Sequence, residues 1–395
     1  MLTSFFFSIL IVLVFSSGFA QQAQLQNPLK DSITSSQIQI NGYQRILSNL
    51  DGIPQGVTLG GYGEILYNQP LHKNGDLDVQ RLVLLFGYKF NERVQFVTEI
   101  EFEHVKEVYV EQAFINYNLT PTVNLRAGLM LVPMGIVNEY HEPTTFNGVE
   151  RPSLDNAIVP TTWREIGFGV SGRFDEIALR YQAYIFNGFL SHDGTEGKLK
   201  GSNGLRSGRQ KGAESTVDEF NFSSKLDYYG IPGLRLGLSG YFGRTQAVDD
   251  QAGILGSTVG ISMLGVDARY RLRKFSARGQ FIQANLSDTN QYNMLTTKDL
   301  GKEISGYYIE AAYNLLPTAN KQRLEGFIRY ENFNTHAETE GALVQNPAFH
   351  RKEWTTGLSY HLAPGSVFKV DYQNKETGVA TSAFGQFNMG VGVWF

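Results

Sequence analysis

The stretch NEYHEPTTF (138–146) gathers two carboxylates, an imidazole, a phenol and two hydroxyls in nine residues. Glu139, His141 and Glu142 are residue types that ligate metals or exchange protons, and Glu103 and His104 could join them from elsewhere in the chain. The spacing argues against such chemistry. Helical zinc motifs carry two histidines four apart with a glutamate between, whereas this stretch has one histidine in a segment broken by Pro133, Pro143, Pro152 and Pro160. A serine hydrolase would need a Gly-x-Ser-x-Gly elbow, and none occurs. We read no catalytic residue, metal or cofactor into the sequence. The simpler reading is that these groups hydrogen-bond a buried loop to its surroundings, because a buried loop must satisfy its polar atoms.

The elements around the stretch decide what it is for. Of the 395 residues 42 are Gly, 27 Phe and 20 Tyr, and Cys is absent; aromatic and glycine enrichment without thiols suits a β-rich membrane barrel. A net charge of -4 offers no basic field, so nucleic acid is set aside as a partner. Phe5 to Phe15 is an apolar run of signal-peptide length, followed by the small residues Gly18 and Ala20. Residues 1–20 therefore read as a secretory signal, although no Lys or Arg lies in the first ten positions. No other run approaches the roughly 18 apolar residues of a membrane helix, so a membrane location requires a barrel.

Residues 21–56 read as an N-terminal extension on the periplasmic side with little core of its own, and the barrel occupies 57–395. From Val57 onward, apolar and polar residues alternate with the strand period of two. In DEFNFSSKLDYY (218–229), Phe220, Phe222, Leu226 and Tyr228 oppose Asn221, Ser223, Lys225 and Asp227. EWTTGLSYHL (353–362) and VNLRAGLM (123–130) divide in the same way. A soluble sandwich also alternates, but here tight turns at 91–93, 120–122, 175–176, 230–233, 273–274, 317–321 and 363–366 alternate with mostly longer polar connections. Short turns on one rim and long loops on the other predict an all-β, antiparallel transmembrane barrel of about sixteen strands. One strand, VYVEQAFINYNL, conflicts with this pattern: its outward register carries Glu111, which is expected near the long-loop rim, where a charge facing lipid costs least.

The last strand ends in Phe395 and resembles the signal read by the barrel-assembly machinery of gram-negative bacteria, a partner this implies along with outer-membrane lipid. Residues 98–119 (TEIEFEHVKEVYVEQAFINYNL) and 125–172 (LRAGLMLVPMGIVNEYHEPTTFNGVERPSLDNAIVPTTWREIGFGVSG) resemble the phosphate-selective porin O and P family. The resemblance implies a sixteen-stranded, homotrimeric diffusion channel of the bacterial outer membrane. Its third long loop, here 131–163, would fold into the lumen as a constriction. Small hydrophilic solutes would pass, with anions such as phosphate among them; an adhesion or binding barrel and a membrane-embedded hydrolase are the alternatives. The residues expected at the pore and its constriction are Arg126, Glu139, His141, Glu142, Glu150, Arg151, Arg164, Glu165, Arg173, Arg180, Glu99 and Glu101. Arg126, Arg164 and Arg173 are the expected anchors for Glu139, Glu142, Glu150 or Glu165. The lumen predicted from strand register is mixed in sign, which leaves selectivity open. The Gly-rich segment 191–215, with five Lys or Arg, reads as a mobile surface loop or an anion-docking patch.

Overall fold

The alternating segments form strands whose apolar faces point out of a closed cylinder. A computed structural model describes residues 40–379 and 384–395; the signal-peptide reading and residues 21–39 of the extension lie outside the described residues. The barrel strands are β1 (Gly56–Pro70), β2 (Asp76–Lys89), β3 (Val94–Glu103), β4 (Glu107–Thr120), β5 (Val123–Leu131), β6 (Arg164–Phe174), β7 (Leu179–Phe186), β9 (Asn221–Ile231), β10 (Leu234–Arg244), β12 (Gly260–Leu272), β13 (Phe275–Ser287), β14 (Glu303–Asn314), β15 (Arg323–Glu338), β16 (His350–Ala363), β17 (Ser366–Thr377) and β18 (Phe384–Trp394). Each pairs antiparallel with its neighbours, and β1 meets β18 to close the ring. The terminal Phe395 completes the seam, donating its amide to Gly61 O and accepting from Gly61 N. The short strands β8 (Leu190–His192) and β11 (Gln246–Ala247) pair in parallel above the long-loop rim.

The expected two-faced strands are present. On β9, Phe222, Leu226 and Tyr228 are exposed on the outer face while Asn221, Ser223, Lys225 and Asp227 are buried inside. On β16, Trp354, Leu358 and Leu362 face out, with Glu353, Thr355, Ser359 and His361 within. Exposed Phe90, Phe174, Tyr228, Phe275 and Tyr313 lie beside the short turns, as in the aromatic girdle of an outer-membrane barrel.

The position of Glu111 corrects the expectation. The β3–β4 register shifts between Glu99 and Ile100, which pair with Gln112 and Val110 and leave Glu111 as an extra, unpaired residue. This β-bulge re-aims the side chain. Glu111 is 0 % exposed and lies in the lumen, while Val110 and Ile115 on either side remain exposed outside. No carboxylate has to face lipid on this strand.

Residues 42–51 are a second departure from expectation. They form helix α1 (Gly42–Asp51), capped by Asn41 in a reciprocal box with Gln44. Tyr43, Ile46 and Leu50 are buried against the inner faces of β1, β2 and β3. A Cβ at Gly87 would overlap Ile46 and Leu50, so the bare backbone there seats the helix. Asp51 accepts from Gln95 (2.8 Å) and Lys89 donates to Ile53 O (2.7 Å), which fixes the end of α1 at the short-turn rim.

Candidate functional site

The connection from β5 to β6, residues 132–163, lies within the lumen. Asn138 staples its base: the side-chain amide donates to Val132 O (2.7 Å) and Trp163 O (2.9 Å) and accepts from Trp163 N (2.7 Å). Pro133, Pro143, Pro152 and Pro160 fix turns between, and the four-residue helix α2 (Leu154–Ala157) forms one corner. From that base the segment reaches both walls.

On one wall, the loop's His141 enters a cluster of charged side chains from β1 to β4. His141 Nε2 lies 3.3 Å from Glu111 Oε2, 3.7 Å from Glu99 Oε1 and 2.8 Å from the Tyr62 hydroxyl. Arg81 pairs with Glu64 (2.5 Å) and Glu101 (3.7 Å), and Arg164 pairs with Glu111 (3.6 Å). Glu142 accepts from the amide of Gly42 at the start of α1, so the plugging helix and the loop are bonded directly.

The opposite wall is contacted mainly through loop backbone. Val149 N donates to Asp371 (2.6 Å), Leu154 N to Glu331 (3.0 Å) and Ile136 N to Gln280 (2.8 Å). Lys369 donates to Gly148 O (2.8 Å), Ser359 to Asn147 O (2.6 Å) and Arg278 to Thr145 O (3.1 Å). Loop side chains contribute Asn147 to Glu310 (2.8 Å), Ser153 to Glu353 (2.7 Å) and Asp155, which accepts from Gln280 (2.6 Å).

Between the walls, five arginines occupy a continuous sector: Arg126 on β5, Arg180 on β7, Arg235 on β10, Arg269 on β12 and Arg278 on β13. The guanidiniums of Arg235 and Arg269 lie over the Tyr140 ring, and that of Arg126 lies over Tyr43. Their carboxylate partners are set deeper. Arg180 is 18 % exposed against 1 % for Glu139, Arg235 12 % against 1 % for Asp227, and Arg278 11 % against 2 % for Glu310. Arg126 bonds Asn116 (2.9 Å) and Tyr184 (3.2 Å), and among the described residues no carboxylate lies within ion-pair distance of it.

The expected site residues separate accordingly. Glu99, Glu101, His141 and Arg164 meet in the first cluster, Arg126 and Arg180 line the arginine sector, and Arg151 reaches His141 O (3.4 Å). Glu139 joins Lys225 (3.1 Å) and Arg180 (3.6 Å), away from His141, so Glu139, His141 and Glu142 diverge to three places. The expected anchors were different ones. Glu150 is held by Asn68 (2.7 Å), and Glu165 by Trp163 (2.8 Å), Tyr241 (3.1 Å) and Gly188 N (3.1 Å). Arg173 sits at the short-turn rim, 66 % exposed, beside Asp175 (3.3 Å) and outside the constriction. Exposed His104 pairs with half-buried Asp78 at the opposite rim (2.6 Å).

Sequence reasoning missed Glu111, Tyr62 and α1. The helix had a signal: Tyr43, Ile46, Leu47 and Leu50 follow helical spacing behind an Asn41-x-x-Gln44 box. The segment 191–215 is also not a free surface loop. Leu199 and Leu205 are buried, and Arg209 donates to Pro160 O, Thr161 O and Thr162 O, bracing the constriction loop from behind.

Residues 62–385 match the family described as phosphate-selective porin O and P. An uncharacterised protein of Aquifex aeolicus (strain VF5) is 33% identical over 345 residues, covering 82% of this chain and 77% of that protein. Among solved structures, the outer-membrane channel DcaP of Acinetobacter baumannii is similar in fold (TM-score 0.58, 12% identity, covering 87% of this chain and 98% of that one). So is the anion-selective porin from Comamonas acidovorans (TM-score 0.57, 12% identity, covering 86% of this chain and 100% of that one). With a closed sixteen-strand cylinder carrying a loop across its lumen, the chain belongs to the phosphate-selective porin O and P family and is a porin of the bacterial outer membrane.

Proposed function

We propose that this porin favours small anions, phosphate among them, which pass along the arginine sector and are sieved by the 132–163 loop. The observation that carries the reading is the unequal depth of the paired side chains: along that sector the Arg180, Arg235 and Arg278 side chains keep 11–18 % exposure, while the carboxylates they pair with keep 1–2 %. A passing solute in this reading meets the arginine side chains before the carboxylates set behind them, and a row of cations less deeply buried than its anions biases passage toward anions. Arg126, Arg180, Arg235, Arg269 and Arg278 are assigned to the path. Glu99, Glu101, His141, Glu142, Glu150, Arg151, Arg164 and Glu165 hold the loop. Catalysis is not part of this mechanism.

The short-turn rim faces the periplasm in this reading, so α1 narrows the periplasmic mouth and, through Gly42 and Glu142, is mechanically joined to the constriction. Assembly as a homotrimer, through the apolar outer face, and insertion by the barrel-assembly machinery belong to the same proposal. Cross-linking in native membranes tests the first; membrane insertion of a chain with Phe395→Ser tests the second.

Single-channel conductance in planar bilayers, with the reversal potential taken in a salt gradient, tests the preference. Arg126→Glu changes the charge by two at a position with no acidic partner among the described residues, and the anion-to-cation permeability ratio should fall by roughly a factor of two or more. An unchanged reversal potential removes Arg126 from the path. Folded protein that never shows stepwise conductance would favour an adhesion barrel.

A further inference from the structure

The cluster around His141 contains more than a loop needs for anchorage. His141 Nδ1 lies 3.1 Å from Asn138 O, a carbonyl that can only accept, so this nitrogen carries the proton. In the neutral ring Nε2 is then a lone pair, and it faces two carboxylates and a phenol. Metal-bound histidines are oriented this way, with the second nitrogen donating to a backbone carbonyl.

The distances among the four facing atoms define a site. Nε2 is 2.8 Å from the Tyr62 hydroxyl, 3.3 Å from Glu111 Oε2 and 3.7 Å from Glu99 Oε1. The Tyr62 hydroxyl is 2.8 Å from Glu99 Oε1 and 3.3 Å from Glu111 Oε2. Zinc with bonds of about 2.0–2.1 Å sets tetrahedral ligands about 3.3 Å apart, and these separations bracket that value. The histidine and both carboxylate ligand atoms lie within 4.8 Å of one another, and all three residues are buried. Second oxygens are oriented from outside: Gln112 donates to Glu99 Oε2 (2.5 Å), and Arg164 stands 3.6 Å from Glu111 Oε1.

Two further observations point to a missing positive charge. Glu101 Oε1 and Glu111 Oε1 are both buried without a hydrogen-bond partner, and the guanidiniums that face them stand off at 3.7 Å (Arg81) and 3.6 Å (Arg164), beyond hydrogen-bond length. The pocket also holds four carboxylates, Glu64, Glu99, Glu101 and Glu111, against two guanidiniums, Arg81 and Arg164. With a neutral imidazole, two negative charges remain in excess in a dry environment, which one divalent cation would cancel. The bulge that turns Glu111 inward completes the set.

We propose that Glu99, Glu111 and His141, with the Tyr62 hydroxyl, bind one divalent transition-metal ion, Zn²⁺ by donor set, which fastens the constriction loop to β3 and β4. The rival is an imidazolium that occupies the same place as a counter-charge. The proposal does not depend on what the pore transports.

Because the ligands are buried, the metal must be supplied while the chain folds. Full-length protein is folded into detergent micelles with ZnCl₂ or with chelator, desalted, and its metal measured by mass spectrometry; a parallel preparation takes Co²⁺. The expected result is about one zinc per folded chain and the visible absorption of tetrahedral cobalt. His141→Ala and Glu111→Gln should lose both signals, while His104→Ala, which removes the exposed histidine at the rim, should keep them. Less than roughly a tenth of an equivalent in folded wild-type protein, or a cobalt spectrum of the aqueous ion, overturns the site. Should the variants fail to fold, the wild-type cobalt spectrum still decides between the metal and the imidazolium.

Discussion

One loop crosses the lumen of this barrel and is fastened to its two walls by opposite means. On the β1–β4 side it contributes the imidazole of His141 to a cluster of wall carboxylates and guanidiniums. On the β13–β18 side most of its contribution is backbone, and the charges belong to the wall: Asp371, Glu331, Lys369 and Arg278 reach Val149 N, Leu154 N, Gly148 O and Thr145 O. The first contact depends on loop sequence and can be lost by loop substitution. The second depends mainly on loop shape, and apart from the Asn147, Ser153 and Asp155 side chains it is removed by changes in the wall. A constriction held this way keeps its position on one side while its side chains vary on the other.

The strongest way to break this comparison is Glu111→Gln. The substitution leaves Arg164, and the imidazole when it is protonated, short of a counter-charge in a buried pocket, where removing one partner of an ion pair costs about 3–5 kcal/mol. The denaturant midpoint of unfolding in micelles should fall accordingly. A loss below about 1 kcal/mol would mean that water fills the cluster and that the two walls do not differ.

Asp371→Asn tests the other wall and should cost less. Asp371 accepts from Val149 N and from Asn388 (2.7 Å), and an asparagine can keep one acceptor while losing the charge that strengthens both bonds. A cost of about 1–2 kcal/mol is expected in the same assay. If it equals that of Glu111→Gln, charge burial does not separate the walls.

The two contacts were also unequally readable in the sequence. The composition of residues 138–146 announces polar anchorage, but backbone donors such as Val149 N and Leu154 N leave no trace in residue type. The barrel itself was legible, because strand period and turn length are local properties: Asn221 to Asp227 and Glu353 to His361 faced inward as the alternation requires. Glu111 was misplaced because a bulge breaks the period at one residue, and the partner that compensates, His141, is thirty residues away. The depth ordering of arginine and carboxylate could not be read at all. It depends on which side chain lies nearer a loop whose path is set by contacts distant in sequence. Helix α1 was readable from its cap and spacing, yet a segment of that length outside a barrel pattern gives no sign that it will turn into the lumen.

The smallest expected effect lies on the long-loop rim, where the same kind of tie is made in water. Lys198 hydrogen-bonds Asp193, and with donation from Glu196 N and Thr195 this holds the Asp193 carboxyl well below the usual carboxylate range. For an acid whose folded-state value is depressed, the contribution is complete above the unfolded value, about 3.9, and disappears as pH falls through the folded one. The turn at 193–198 should thus be indifferent to pH from neutrality down to about 4 and loosen only in stronger acid. A carbon NMR titration of the Asp193 carboxyl in micelles would show this as a midpoint below that of an unstructured peptide. Both partners are substantially solvated, with side-chain exposures of 28% and 26%, so concentrated salt should move that midpoint back toward the peptide value. The buried cluster around Glu111 should ignore the same salt, since ions cannot enter where its partners lie. A rim midpoint that resists salt as the lumen does would show that solvent access is not what distinguishes the two.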